Sequence, residues 1–435
     1  MSSPTPESSG QAPQLLRAVS RWQIVGLSIN DVIGSGIYLM PALVFMHLGR
    51  FSLISVVLSG LAVALLVSCY AQAASYFERP GGSYLYAREA FGPFAGFQVG
   101  WTIWLTRISS AAALGNALAD AVARFWPAAA DGPGRLLVVV GSLGGLTLIN
   151  VIGVRSAART GVILVIGKLV PLLVFVGVGL LYLNWDQALA GPSPDLHDFS
   201  NLGQSALLLL FAYAGFENIP AAASEYQNPR RDVPFALTVM IITVTALYVL
   251  VQLVAQGSLL NLADSATPLA DAAAGFGGEG LALLLTVGAT LSILGTTSNT
   301  VMLGPRFLFA LAEDGYGPAW VAKVHPRFRT PYVAVILQFV VSLALALSGS
   351  FENLALLSMV TRLLAYLGTA AAVLVLAKRY RDRTDVVKLP GGPLIPILAV
   401  LLSLALLASA SWQNLLAAAV AILVGTVIYL FPRKR

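Results

Sequence analysis

The chain has 435 residues, of which 57% are hydrophobic and 11% charged, and its mean hydropathy is +0.80. No soluble domain hides that much apolar surface, so the composition indicates an all-α polytopic membrane protein. Cys69 is the lone cysteine, which excludes an internal disulfide and a cysteine metal cluster, and His47, His197 and His325 are too scattered for a metal site. No cofactor is implied. The net charge of +6 does not indicate nucleic-acid binding, because no soluble segment gathers basic residues on one face. An embedded enzyme would need a nucleophile–base pair or a metal constellation, and the sparse histidines and absent cysteine clusters argue against it.

Residues 1–20 are polar and rich in Ser and Pro at their start, as expected of a disordered cytoplasmic tail, and lack the pattern of a signal peptide. Twelve segments are then long and apolar enough to be spans: 22–46, 52–76, 92–125, 135–153, 157–183, 202–226, 233–256, 279–312, 331–348, 353–377, 393–409 and 412–430. The third and eighth are unusually long and should be tilted. Residues 431–435 form a second short tail. With both termini in the cytoplasm, the inner segments hold most of the basic residues, among them Arg79, Arg88, Arg230, Arg231, Arg327, Lys378, Arg379, Arg381 and Arg383. The outer loops hold only Arg50, Arg124 and Arg135. Shifting the count by one span destroys this asymmetry, so it supports both the orientation and an even number of spans.

Two spans are interrupted. The first contains Ile29-Asn30-Asp31-Val32-Ile33-Gly34-Ser35-Gly36-Ile37, and two glycines around a serine loosen a helix and admit a ligand to its backbone. The sixth reads Phe211-Ala212-Tyr213-Ala214-Gly215-Phe216-Glu217-Asn218-Ile219-Pro220. Here Gly215 releases the helix and Pro220 is expected to start the next one. Broken helix at membrane depth is tolerated only where it is buried or lines a cavity. Four spans separate the breaks, which suggests an inverted repeat of 21–183 (spans 1–5) and 201–379 (spans 6–10), with 391–430 (spans 11–12) outside it. The half-helix starting near Ile37 offers free N–H groups and a positive dipole end to a carboxylate, and the Ser35 hydroxyl adds a donor. Carbonyls near Ile33 and around Phe211–Ala214 can accept from an ammonium. A ligand with both groups is an α-amino acid.

At these residues the chain resembles the amino acid–polyamine–organocation permeases. The resemblance rests on Gly34–Ile37, the 211–217 run, Glu225 with Asn228-Pro229-Arg230-Arg231-Asp232-Val233-Pro234, and the run from Gly304-Pro305-Arg306 to Gly315, in order and spacing across Trp22–Arg379. It implies the LeuT-type 5+5 inverted repeat within 12 transmembrane helices, with helices 1 and 6 broken. It also implies alternating access to amino acids or amines, as in bacterial amino acid permeases of the cell (inner) membrane.

The resemblance further implies a substrate site at Ile33, Ser35, Gly36, Ile37, Phe211, Ala212, Gly215 and Glu217. Phe211 is expected as an aromatic lid, with Phe216 a second gating candidate. Lys168 in the fifth span resembles a lysine that replaces Na⁺ by bonding the carbonyls of broken helix one. With Asp31 and Glu217 it forms the expected ion-coupling set, and protons are a candidate coupling ion. Thr296, Thr297 and Ser298 keep Na⁺ open. Asp31 fits the pattern least, and could pair with Lys168 or Arg107. Arg107 is expected to be a structural charge partner, Ser109 or Asn116 to touch a side chain, and Arg306 and Arg362 to fall in the cytoplasmic half. With Glu217 the one clear acid, the reading favours neutral amino acids over a cationic amino acid or polyamine antiporter. A non-transporting sensor of the same fold is the third alternative.

Overall fold

The computed structural model describes residues 19–79, 81–152, 157–191, 199–328 and 330–430. The two tails beyond these, with Arg17, Pro80, Arg155, His197 and Arg329, lie outside the described residues. Within them no strand forms, and Val19 and Tyr226 make an isolated parallel bridge.

Helices form where the apolar runs lie. The first span is two helices, α1 (Arg21–Val32) and α2 (Gly36–Leu48). At the start of α1, the Ser20 N–H donates to Gln23 Oε1 at 2.8 Å, one arm of a capping box. A 3-10 turn at Gly49–Phe51 leads into α3 (Ser52–Tyr76), and α4 (Gly82–Phe91) precedes α5 (Pro93–Ala123). Next come α6 (Gly132–Ile152), α7 (Ala157–Gly179), the short α8 (Trp185–Leu189) and α9 (Phe199–Ala212). A 3-10 segment, Phe216–Glu225, joins α9 to α10 (Pro229–Ser258). The rest are α11 (Pro268–Glu313), α12 (Tyr332–Ser348), α13 (Phe351–Arg379), α14 (Leu394–Ala408) and α15 (Trp412–Leu430). The helix expected to start at Pro220 does not. Pro220 lies inside the 3-10 segment, whose tighter turns begin directly after Gly215.

Six stretches are long and apolar enough to cross a bilayer: Gly36–Tyr76, Gly132–Ile152, Pro229–Ser258, Pro268–Glu313, Phe351–Arg379 and Trp412–Leu430. Four shorter helical stretches, including Tyr332–Ser348 and Leu394–Ala408, are apolar too. The outer surface matches a lipid solvent. Leu58 and Leu61 on α3, Leu137 and Leu148 on α6, and Leu423 and Val427 on α15 are exposed. Water would not tolerate so large an apolar surface, which marks a membrane-facing band. The polar residues turn inward instead: Ser110, Asn116, Lys168, Gln252, Thr297 and Arg362 are all buried. The chain is therefore a multi-pass membrane protein.

Packing brings the interrupted elements to the centre. Helix α3 lies along α10, α5 lies along both α11 and α13, α2 packs on α9, and α1 packs on α10. Helix α5 has 31 residues, about 46 Å of helix at 1.5 Å per residue, and Arg107 stands near its midpoint. At the end of the bundle where α5 begins, ion pairs tie four elements together. Arg88 pairs with Asp314 at 3.4 Å, Arg79 with Glu89 at 2.9 Å, and Arg230 with Asp385 at 3.0 Å. Arg383 holds the exposed Asp385 carboxyl down at about 2, so Asp385 stays charged at physiological pH.

The start of α1 is docked on α10. Arg21 Nε bonds Asp232 Oδ1 at 2.9 Å, the Arg21 guanidinium covers the Phe235 ring at 4.8 Å, and Trp22 meets Phe235 edge-on at 5.4 Å. Because Arg21 is half exposed, solvent screening limits the ion pair. Asp232→Ala is expected to cost no more than about 1 kcal/mol, read as a small downward shift in the melting temperature of the detergent-purified protein. A loss of several kcal/mol would mean that the ion pair, rather than the aromatic contact, docks α1.

Candidate functional site

The two breaks meet. Helix α1 stops at Val32, where Ile33 turns extended (φ −71°, ψ 96°), and α2 begins at Gly36. Helix α9 stops at Ala212, and Gly215 takes φ +135°, a conformation that L side chains rarely adopt. A Cβ on Gly36 would stand 2.6 Å from Cα of Ala212, and one on Gly215 would stand 2.5 Å from the Asp31 carbonyl oxygen. Each break thus uses a glycine to let its backbone touch the other.

Side chains then satisfy the carbonyls that the breaks expose. Tyr248 on α10 places its hydroxyl 2.8 Å from Ala212 O and 3.2 Å from Val32 O, so one phenol spans both breaks. Lys168 on α7 donates from Nζ to Asn30 O at 2.5 Å and to Ile33 O at 2.7 Å. Tyr38 on α2 donates to the Lys168 carbonyl at 2.8 Å, which ties α7 to the second half of the interrupted span. Lys168 therefore sits behind the first break, where its ammonium donates to two of the carbonyls that the break exposes.

A polar wall faces the meeting point. Asp31 accepts from Asn299 Nδ2 at 2.7 Å and from Asn218 Nδ2 at 3.4 Å. Arg107 donates to the other end of the Asn218 amide, at Oδ1, and lies 3.9 Å from Glu217. Arg362 forms the close ion pair with Glu217 and donates to Ser110 Oγ at 3.2 Å. Glu217 Oε2 also accepts from the Gly215 N–H at 2.9 Å and from Tyr366 OH at 3.1 Å, so this carboxylate clamps the start of the 3-10 segment. The arrangement can offer a ligand backbone N–H groups at α2, a carboxylate at Asp31 and guanidinium groups at α5 and α13.

A cavity opens between these groups. Of the residues expected from sequence, Asp31, Ser35, Gly36, Phe211, Ala212 and Gly215 line it. Phe211 also meets Phe351 edge-on, with ring centroids 5.9 Å apart. Ile33, Ile37, Lys168 and Glu217 lie in the surrounding layer and do not line the cavity. Neither does Phe216, which stacks on Tyr366 at 5.1 Å and meets Tyr70 edge-on at 5.2 Å, in a closed aromatic cluster. Arg362 lines the cavity together with Arg107. Arg306 bonds the carbonyl of Met302, one turn back on its own helix. Asn116 bonds Ala346 O and Arg135, away from the cavity, and Ser109 bonds carbonyls of its own helix, whereas its neighbour Ser110 lines the wall. Ser110, Asn218, Asn299 and Thr300 were not among the expected site residues, and Thr296 was expected only as a candidate Na⁺ ligand. Their helical spacing from the breaks carries no signal, since they come from separate elements.

Gly215→Ala tests the contact of the breaks. The positive φ alone costs about 1–3 kcal/mol for a residue with a side chain, and the Asp31 carbonyl leaves no room for one. The variant should melt lower than the parent and lose ligand-dependent stabilisation. An unchanged melting curve would contradict the placement of Gly215 against α1.

Comparison with known proteins agrees with this geometry. The amino acid permease family model matches residues 19–431. Similar proteins of Bacillus subtilis include a methylthioribose transporter, 29% identical over 99% of this chain and 96% of that protein. A branched-chain amino acid permease is 29% identical over 97% and 94%. A serine/threonine exchanger is 29% identical over 94% and 95%. With a match over nearly its whole length, broken helices that meet at a polar cavity and a lipid-facing surface, the chain belongs to the amino acid permease family of the amino acid–polyamine–organocation superfamily.

Proposed function

We propose that this permease is a secondary active transporter that moves amino acids across the cytoplasmic membrane by alternating access. The reading takes the chain as 12 spans, the first ten in a LeuT-type 5+5 inverted repeat, with both termini cytoplasmic. The observation that carries it is the contact between the breaks at a polar cavity. Half-helix ends that meet at membrane depth are a costly arrangement unless a ligand uses their free groups.

In this reading the substrate carboxylate takes the N–H groups of the first turn of α2, with Ser35 as a further donor. The ammonium faces Asp31 and the carbonyls that end α9. Phe211 closes over the ligand, and Phe351 gives its ring a surface to lean on. Lys168 takes the place of Na⁺ behind the first break, since its two bonds to backbone carbonyls are those a cation would make. Protons are then the candidate coupling ion, with Asp31, Lys168 and Glu217 as the titratable set. Exchange of one amino acid for another is equally served by the same site, as the serine/threonine exchanger's name illustrates. A cationic amino acid or polyamine antiporter is disfavoured, because the wall presents two guanidinium groups and one carboxylate. The lean to neutral substrates rests on Glu217 as the one clear acid of the site region; Asp31 lines the cavity as well, beside Arg107 and Arg362.

Counterflow of radiolabelled amino acids into proteoliposomes tests the transport claim. Exchange of at least one amino acid is expected, with methylthioribose as the control that lacks both zwitterion groups. Binding without exchange would identify a sensor, and exchange of methylthioribose alone would overturn the reading. Under separate gradients, transport should persist without Na⁺ and fall at least about tenfold in Lys168→Met, which leaves two backbone carbonyls without their charged donor. Strict Na⁺ dependence would remove the lysine from its proposed role. Orientation is tested by single cysteines in a Cys69→Ala background. Leu260→Cys should react with a membrane-impermeant maleimide from outside and Arg381→Cys only after permeabilisation; the reverse pattern would invert the topology.

A further inference from the structure

We infer that the cavity holds a second anion subsite at Arg107 and Arg362, so that the preferred substrates are amino acids with an acidic side chain. The inference rests on the transporter reading and adds the substrate class.

The argument is one of unbalanced buried charge. Arg107 and Arg362 are both buried, with side chains only 5% and 6% exposed. Between them they have one carboxylate, Glu217, and it is engaged by Arg362 and by the Gly215 N–H and the Tyr366 hydroxyl. Arg107 stands 3.9 Å from that carboxylate, and its bond is to the neutral amide of Asn218. Asp31 does not repair the deficit. It is held by two amides, Asn218 and Asn299, and two cations lie near it, Arg107 and then Lys168, the latter bound to carbonyls of the same helix break. Three cations, Lys168, Arg107 and Arg362, thus share two carboxylates, Asp31 and Glu217, which leaves the cluster with one uncompensated positive charge.

A buried charge without a counterion is expensive and is retained where something supplies the missing partner. Both arginines line the cavity, and the Nε of each is buried with no hydrogen-bond partner among the described residues. An arginine fork with a free N–H matches the two oxygens of a carboxylate. Ser110, which bonds Arg362 and Ser358, adds a hydroxyl to the same wall. A neutral amino acid spends its one carboxylate at the α2 terminus and leaves the excess positive charge in place. L-aspartate or L-glutamate brings a second carboxylate and cancels the excess charge.

The test is competition against a labelled amino acid in wild-type proteoliposomes, comparing aspartate with asparagine and glutamate with glutamine. The acids are expected to compete at least about tenfold better than their amides, the scale of one charge-assisted hydrogen bond. In Arg107→Gln the acid-over-amide ratio should fall to about one or below, about a tenfold loss of preference. Wild-type preference for amides or apolar amino acids would overturn the inference and leave the transporter reading standing, whereas exchange of no amino acid would overturn both. A uniform loss for acids and amides in Arg107→Gln would identify a structural arginine. Should that variant fail to fold, the wild-type acid–amide comparison decides alone. Stabilisation by chloride or phosphate without any by acidic amino acids would identify a structural anion and also overturn the proposal.

Discussion

The contact between two broken helices is the constraint from which the rest of the site follows. Gly36 lies against Ala212 and Gly215 lies against the Asp31 carbonyl, with no space for a Cβ at either glycine. Such an approach strands backbone groups of both breaks in a region that offers no water to satisfy them. Two side chains from outside the breaks meet that need. Tyr248 reaches a carbonyl on each side, and Lys168 reaches two on one side. What these residues leave unsatisfied is the face turned to the cavity, and that face is where a substrate can gain by binding.

Charge around the breaks has two layers. Lys168 and Glu217 lie behind the backbone and keep it in its open shape, the first by donating to α1 and the second by accepting from Gly215. Asp31, Arg107 and Arg362 lie in front, along the cavity. The same residue types therefore do different work according to depth. A carboxylate bonded to N–H and guanidinium groups on several sides is a clamp, while a carboxylate held only by amides can still meet a cation. This division explains why Glu217, the acid that the sequence draws attention to first, does not line the cavity and why Asp31, the residue that fits the family pattern least, does.

Much of the fold was legible in the chain because membrane helices announce themselves by length and hydropathy. The run 52–76 became α3 (Ser52–Tyr76), and 412–430 became α15 (Trp412–Leu430). The breaks were legible for a local reason, since Gly34-Ser35-Gly36 and Gly215 are helix-loosening residues inside apolar runs. The wall was less so. Nothing in the sequence marks Arg362 as facing the cavity, and packing of α13 along α5 brings it beside Ser110. Phe216 and Phe211 look alike in sequence, yet the turn at Gly215 sends one into an aromatic cluster and the other to the cavity. Local composition gives breaks and spans, whereas the direction in which a side chain points depends on helix rotation and neighbours that no spacing specifies.

The central claim is that the meeting point of the breaks is where substrate binds. A structure with bound amino acid tests this most directly. The account predicts the α-carboxylate within hydrogen-bond reach of the N–H groups at Ser35–Ile37 and the ammonium facing Asp31. A ligand bound elsewhere in the bundle, with the breaks unchanged and empty, would contradict it.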